Sequence, residues 1–179
     1  MRFGILFLAL LGALNAPLAA RADVVNAGPG SFAIHAERSV AAPPGQVWGT
    51  LLHVERWWNS AHTYSGDAHN LMLTPRAGGC WCEHWAHGSV EHGRVLMVMD
   101  HEGTHTLRLA AALGPLQQLG VSAILTFTVT PDASGTKITM DYRVAGDSGL
   151  ALESIASRVN DVLMEQFDRL AQFNPVPTP

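Results

Sequence analysis

One long amphipathic pattern precedes the proline-rich end of the chain. Apolar side chains recur three or four positions apart through residues 149–173, and charged side chains fill the positions between them. This spacing predicts a single helix with one buried stripe. A stripe of this length must be covered by another large apolar surface of the same chain.

The sequence ahead of that helix is typical of strands and turns. Alternation is clearest over 32–40, 89–100 and 122–130, and helical spacing after Pro43 and Pro44 predicts one short helix following the first strand. The order is therefore strand, helix, about six strands and a long helix. The simplest way to bury both apolar surfaces is an α+β domain whose antiparallel sheet curves around the C-terminal helix.

The N-terminus has the pattern of an export signal. Arg2 precedes an apolar run over 3–14, and Ala20-Arg21-Ala22 has the small residues of a cleavage site. The run is shorter than the ~20 residues that a spanning helix needs, so we expect cleavage after Ala22 and no stable membrane insertion afterwards. The expected location is periplasmic or secreted. The predicted segments are a signal peptide at 1–22, a flexible leader at 23–30, the domain at 31–173 and a proline-rich tail at 174–179.

Composition limits the classes of partner. The chain has 179 residues, 47% of them hydrophobic, and a formal net charge of −4, which fits one folded domain and excludes a disordered chain. Lys and Arg number 11 against 15 Asp and Glu, so no nucleic-acid partner is expected. No motif indicates a cofactor. The run His101-Glu102-Gly103-Thr104-His105 matches the H-E-x-x-H spacing of zinc proteases, but strand-like runs flank it and Gly103 favours a hairpin tip.

The predicted strand at 80–85 carries candidate chemistry on both faces. Cys80, Cys82 and His84 share one face, and three interpretations stay open for them. The two cysteines are packed thiols, or a readily reduced disulfide, or soft-metal ligands together with the imidazole. Cysteines two apart in a strand are ~6.6 Å apart, which is near the upper limit for a disulfide.

The opposite face of that strand presents Trp81, Glu83 and Trp85, which together suggest a pocket wall. Apolar neighbours would raise the pKa of Glu83 and make it a candidate general acid or base. The alternative is an ordinary ion pair with an arginine such as Arg94 or Arg108. A second aromatic pair, Trp57-Trp58, follows the first helix, and we expect one ring inside the core and the other at the cavity mouth.

Several motifs, taken in order, resemble those of a known superfamily. The run 40–48 (Val-Ala-Ala-Pro-Pro-Gly-Gln-Val-Trp), the pair Trp57-Trp58, the run 75–79 before a strand and the hairpin-like region 90–109 resemble the SRPBCC superfamily, also called START-like or Bet v 1-like. The branch it is most similar to is related to the Hsp90 ATPase activator domain and to polyketide cyclases. The resemblance implies a helix-grip fold with a cavity between the sheet and the C-terminal helix.

The leading hypothesis is an exported protein that binds an apolar or aromatic small molecule in that cavity. The candidate ligand-binding residues are Trp57, Trp58, Trp81, Glu83 and Trp85. One alternative is a cyclase-like or lyase-like enzyme that uses Glu83 with His84 or His92 as acid and base. Another is a metal-binding protein that uses Cys80, Cys82 and His84. Residues 114–120 place two apolar side chains between glycines, as either a lid over the cavity or a surface loop would.

Overall fold

Eight strands form one antiparallel sheet in the computed structural model, which describes residues 23–133 and 135–173. The predicted signal peptide and proline-rich tail lie outside the described residues. Along the sheet the strand order is 1-2-8-7-6-5-4-3. The strands are β1 (Asp23–Gly28), β2 (Ser31–Val40), β3 (Leu71–Leu73), β4 (Cys80–Trp85), β5 (Gly88–His101), β6 (Thr104–Ala110), β7 (Ser122–Asp132) and β8 (Gly135–Ala145).

The described part of the chain also forms three α-helices: α1 (Pro44–Leu52), α2 (Val54–Trp57) and α3 (Glu153–Gln172). The inward residues of β2 and β7 alternate with outward ones, as the sequence predicted, and those of β8 do the same. The alternation predicted for 89–100 is interrupted, because His92 and Gly93 of β5 are both buried. Helix α3 lies across the inner face of the sheet. This confirms the predicted α+β helix-grip architecture. None of the helices within the described ranges is long and apolar enough to cross a membrane.

The C-terminal half of α3 is fixed tightly to the sheet. The Phe167 ring lies 6.4 Å from the Phe127 ring, and the Arg38 guanidinium lies over Phe167 at 5.3 Å. Arg38 Nε also donates to Asp168 Oδ1 at 2.7 Å. Aromatic burial and a partly buried ion pair therefore hold this end of the helix in one position.

The segment expected to be a flexible leader is an edge strand, so that part of the prediction is wrong. Residues 23–28 pair antiparallel with β2, and the turn that follows is tied to the rest of the domain. Leu152 N donates to Pro29 O at 2.8 Å, and Gly146 N donates to Gly30 O at 2.9 Å. Backbone pairing with the open edge of β2 stabilises this strand, and such pairing leaves no side-chain pattern from which a sequence could predict it.

The H-E-x-x-H run is a hairpin tip, as predicted. Glu102 and Gly103 have φ values of 50° and 77°, so they form a two-residue turn between β5 and β6. His101 is exposed, whereas His105 stacks on Trp48 with the ring centres 5.2 Å apart. The two histidines are therefore not presented on a helix face as a zinc protease requires.

Candidate ligand cavity

A cavity of about 710 Å³ opens beside the first half of α3. Its walls are α3, the loop 58–64 and a 3-10 segment at Gly114–Leu119. The sheet itself contributes one wall residue, His92 of β5, so the cavity lies nearer the loops than the sequence predicted. The lining residues are Trp58, His62, Thr63, Tyr64, His92, Leu113, Gly114, Pro115, Leu116, Gln118, Leu119, Ile155, Arg158, Val159, Val162 and Leu163.

The 3-10 wall is held by a buried tyrosine. The Tyr142 hydroxyl donates to Ala111 O at 2.9 Å and accepts from Leu113 N at 3.3 Å. Burial raises the pKa of Tyr142 far above its ordinary value, although the hydrogen bond from Leu113 opposes this, so the phenol stays neutral and keeps its proton for Ala111. This contact fixes the chain where it leaves the sheet and begins the cavity wall.

The loop 58–64 is hydrogen-bonded to α3. Asn59 N donates to Gln166 Oε1 at 2.7 Å, and the Asn59 side chain bonds to Glu165. His62 Nε2 lies 3.0 Å from Glu165 Oε2. The hydrogen bond from Asn59 is the main reason why the pKa of Glu165 lies below its ordinary value, with His62 also contributing. The loop is therefore a fixed wall of the cavity.

A buried carboxylate and a histidine meet at the inner end of the cavity. Glu83 is fully buried, and its Oε2 lies 2.9 Å from His92 Nε2. The same carboxylate accepts hydrogen bonds from Tyr64 N at 3.0 Å and from Ser65 N. Glu83 thus joins two separate parts of the wall, the loop after Thr63 and strand β5.

Hydrogen bonding decides the charge of Glu83. Burial opposes its ionisation, but the hydrogen bonds from Ser65, Tyr64 and His92 outweigh that effect and hold the pKa of Glu83 below its ordinary value. The expectation of a raised pKa and the expectation of an arginine partner are therefore both wrong. Arg94 pairs with Glu91, and Arg108 donates to Thr126.

A β-bulge brings His92 to this position. Trp81 of β4 pairs with Gly93 of β5, and the next β4 residue pairs with Glu91, so His92 is the extra residue. His92 and Gly93 are consequently both buried. An ionised carboxylate can only accept, so His92 Nε2 carries the hydrogen and donates it to Glu83. Nδ1 is therefore the ring nitrogen that is left for other partners.

Comparison with known proteins addresses the fold. No family model matches the chain, and no curated protein matches its sequence. Among solved structures, a point mutant of norcoclaurine synthase from Thalictrum flavum, bound to a transition-state analogue, superposes with a TM-score of 0.54 at 16% identity over 79% of this chain and 92% of that one. An uncharacterised protein from Rhizobium leguminosarum gives 0.54 at 18% identity over 79% and 92%. The fold is Bet v 1-like.

Within this Bet v 1-like fold the predicted ligand residues separate into two groups. Trp58 lines the cavity, whereas Trp57 is buried against Phe127 and the core. Trp81 lies behind the wall, with its ring edge-on to Trp58 at 4.9 Å, and Glu83 stands behind His92. Trp85 is half-buried over Gly88, at the turn between β4 and β5, and is not a lining residue.

The cysteines of the Bet v 1-like domain form a disulfide. Cys80 and Cys82 are bonded to each other, with their Cα atoms 5.4 Å apart. Of the three interpretations left open, this agrees with the disulfide. A metal site would need both thiols reduced, and the acidic side chain within 4.8 Å of the two sulfurs is that of Glu91. His84 is exposed on the same face.

Two cavity walls of the Bet v 1-like fold carried only weak signals in the sequence. Residues 113–116, 118 and 119 line the cavity, so this segment is part of the cavity wall and not a plain surface loop. The other wall, His62–Tyr64, was not singled out. A run of polar residues after the two tryptophans, lacking both helical and strand periodicity, was the one available signal.

Proposed function

We propose that this protein binds an apolar or aromatic small molecule in the cavity beside α3. The observation that supports this is an opening of about 710 Å³ with a mostly apolar lining. Ligand pockets commonly have volumes of about 300–1,000 Å³ and few polar groups. The rings of Trp58 and Tyr64 in the wall favour a planar guest, because aromatic surfaces add contact energy beyond the area they bury.

This proposal can be tested with a neutral dye that fluoresces strongly only in an apolar environment, such as N-phenyl-1-naphthylamine. The folded protein should give a saturable rise in dye fluorescence with a stoichiometry of one. The same chain unfolded in urea should give no saturable signal. A folded protein that does not bind the dye, or any other apolar probe of similar size, would contradict the proposal.

We also propose that the mature protein is exported. The N-terminal pattern supports this, and so does the disulfide between Cys80 and Cys82, because such bonds persist in oxidising compartments. The mass of the chain recovered from the periplasm or the medium of its host should match an N-terminus at Asp23. Recovery of the full-length chain in the cytoplasm alone would contradict export.

A second candidate function is acid–base catalysis in the same cavity, of the cyclase or lyase type that the resemblance to polyketide cyclases implies. The contact between His92 and Glu83 favours it. A buried carboxylate that orients an imidazole is a common arrangement for a general base. In this scheme His92 Nδ1 takes the proton, and Glu83 is a positioning residue.

Base-promoted opening of 5-nitrobenzisoxazole tests the second candidate without a known substrate. The base removes the ring C–H proton, the N–O bond breaks, and 2-cyano-4-nitrophenolate is released. We expect a rate at least about tenfold above that of equimolar imidazole, because a bound substrate meets a positioned base. His92→Phe should abolish the excess rate, and the exposed control His84→Phe should preserve it. An unchanged rate in His92→Phe would contradict a catalytic role.

A further inference from the structure

We propose that the natural ligand is an amphipathic anion whose acidic group binds Arg158 at the mouth of the cavity. This inference rests on the proposed function and specifies its ligand class. Arg158 lies on α3 among the lining residues, next in sequence to Val159. Its side chain is exposed, so the guanidinium stands at the boundary between the apolar interior and solvent.

Arg158 differs from the other arginines around α3 in having no fixed partner. Arg38 is bound to Asp168, and Arg169 Nε donates to Trp57 O at 2.7 Å. Within residues 23–133 and 135–173, Arg158 takes part in no hydrogen bond or ion pair. A guanidinium that lines a cavity and is not already bound is available to a ligand.

The remaining polar groups of the lining are largely occupied. His62 is paired with Glu165, Thr63 Oγ1 donates to Ser60 O, and Tyr64 Oη donates to Gly114 O at 3.3 Å. His92 is held by Glu83 through Nε2. Arg158 is thus the one lining residue with a permanent charge among those described.

No carboxylate appears in the described lining, although acidic residues lie nearby on α3. Glu153 and Asp161 are exposed and form no ion pair with Arg158. Glu165 already accepts hydrogen bonds from Asn59 and His62, is close enough to Arg169 for a favourable charge interaction, and does not line the cavity. The described lining therefore presents a cationic donor at the mouth of the cavity and no carboxylate of its own.

The apolar interior of the cavity and the guanidinium at its mouth together define the class of ligand. Apolar side chains such as Ile155, Leu116 and Val162 favour a hydrocarbon or aromatic body. A guanidinium binds a carboxylate through two parallel N–H donors. A flat or chain-like carboxylate satisfies both ends, whereas a neutral molecule of the same shape uses the apolar end alone.

Competition against the bound neutral dye tests this with two matched pairs of probes. Naphthalene-1-acetate is compared with naphthalene-1-acetamide, and decanoate with decanamide. Each acid should bind about tenfold more tightly than its amide at low salt, and added salt should reduce the preference because Arg158 is exposed. Arg158→Gln should abolish the preference while leaving the affinity for the amide unchanged.

Two further variants complete the test. Arg158→Lys should keep part of the preference, because charge remains but the two-donor geometry is lost. Arg143→Gln removes a charge from an exposed position on β8 outside the lining and should change nothing. Equal binding of acid and amide, or a preference for the acid that survives Arg158→Gln, overturns this inference. If the protein still binds the neutral dye in that case, the proposed function stands. A folded protein that fails to bind the dye overturns both.

Discussion

Glu83→Gln is expected to lower the free energy of unfolding by about 3 kcal/mol. The carboxylate accepts from Tyr64 N, Ser65 N and His92 Nε2, whereas an amide offers one oxygen in place of two. The amide nitrogen must then face a backbone N–H or the imidazole N–H, and a buried donor loses its partner. Removing one partner of a buried pair is among the few single changes with an effect this large.

The same substitution should change the pH dependence of stability. The pKa of Glu83 is lower in the folded chain than its ordinary value, so its stabilising effect is fully present above the unfolded pKa of about 4.3. That effect is lost as the pH falls through the folded pKa. The stability difference between wild type and Glu83→Gln should therefore be constant at neutral pH and shrink below about pH 4.

Urea unfolding of both chains between pH 3 and 7 measures this difference. The matched control is Glu91→Gln, which removes an exposed carboxylate from an ion pair with Arg94 and should cost less than about 1 kcal/mol. Similar losses in both variants at neutral pH would show that Glu83 does not anchor the loop and His92 together.

The double variant Val159→Trp/Val162→Trp is expected to weaken binding of the neutral dye by at least about a hundredfold, or about 2.7 kcal/mol. Both valines line the cavity from α3, so two indoles would occupy the space that a guest needs. Binding would then require displacement of packed rings, which costs free energy in the same way as overpacking a core. The variant should be at least as stable as wild type, because the indoles cover an open apolar wall.

Dye titration and urea unfolding of the same samples separate the two effects. The control Leu96→Trp/Val98→Trp places two indoles at exposed apolar positions of β5, outside the lining, and should bind the dye normally. Full dye affinity in the filled variant would mean that the cavity is not the binding site. Weak binding in both double variants would point to a general effect of added indoles.

Much of the fold could be predicted because side-chain periodicity reports which face of an element is buried. Alternation along β4 correctly placed Trp81 and Glu83 inside, opposite Cys80, Cys82 and His84. The apolar stripe of α3 was predicted in the same way. The start of the helix differs, because Ala151 adopts a left-handed conformation and the regular turns begin only at Glu153.

The sequence could not decide which histidine, His84 or His92, is the partner of Glu83. Counting by twos fails at a bulge, where one extra residue changes which side chains face inward. At Gly93 an added Cβ would lie 2.8 Å from Ala111 Cβ, so β5 closely approaches the chain that leaves β6 at this point. That close approach is a tertiary contact, and a local sequence pattern does not record it.

The position of the cavity could not be predicted from the sequence either. Two of its walls are segments without periodicity, and each is fixed by contacts distant in sequence: Tyr142 holds Leu113, and Gln166 holds Asn59. The sequence predicted that one of the two adjacent tryptophans lies in the core and the other at the cavity mouth, but it did not decide which. The structure places Trp57 in the core and Trp58 in the wall. Such loops depend on the finished sheet and helix for their positions.

The uneven surroundings of α3 have a consequence for how the cavity takes up guests of different shapes. Phe167 and Asp168 hold the last turns of the helix against the sheet, and Leu152 and Ala156 are buried at its start. Ile155 and Val159 are only partly buried and also line the cavity, so these side chains have fewer packing neighbours on one side. The cavity wall can therefore adjust to a guest through side-chain rotamers while the helix backbone stays in place.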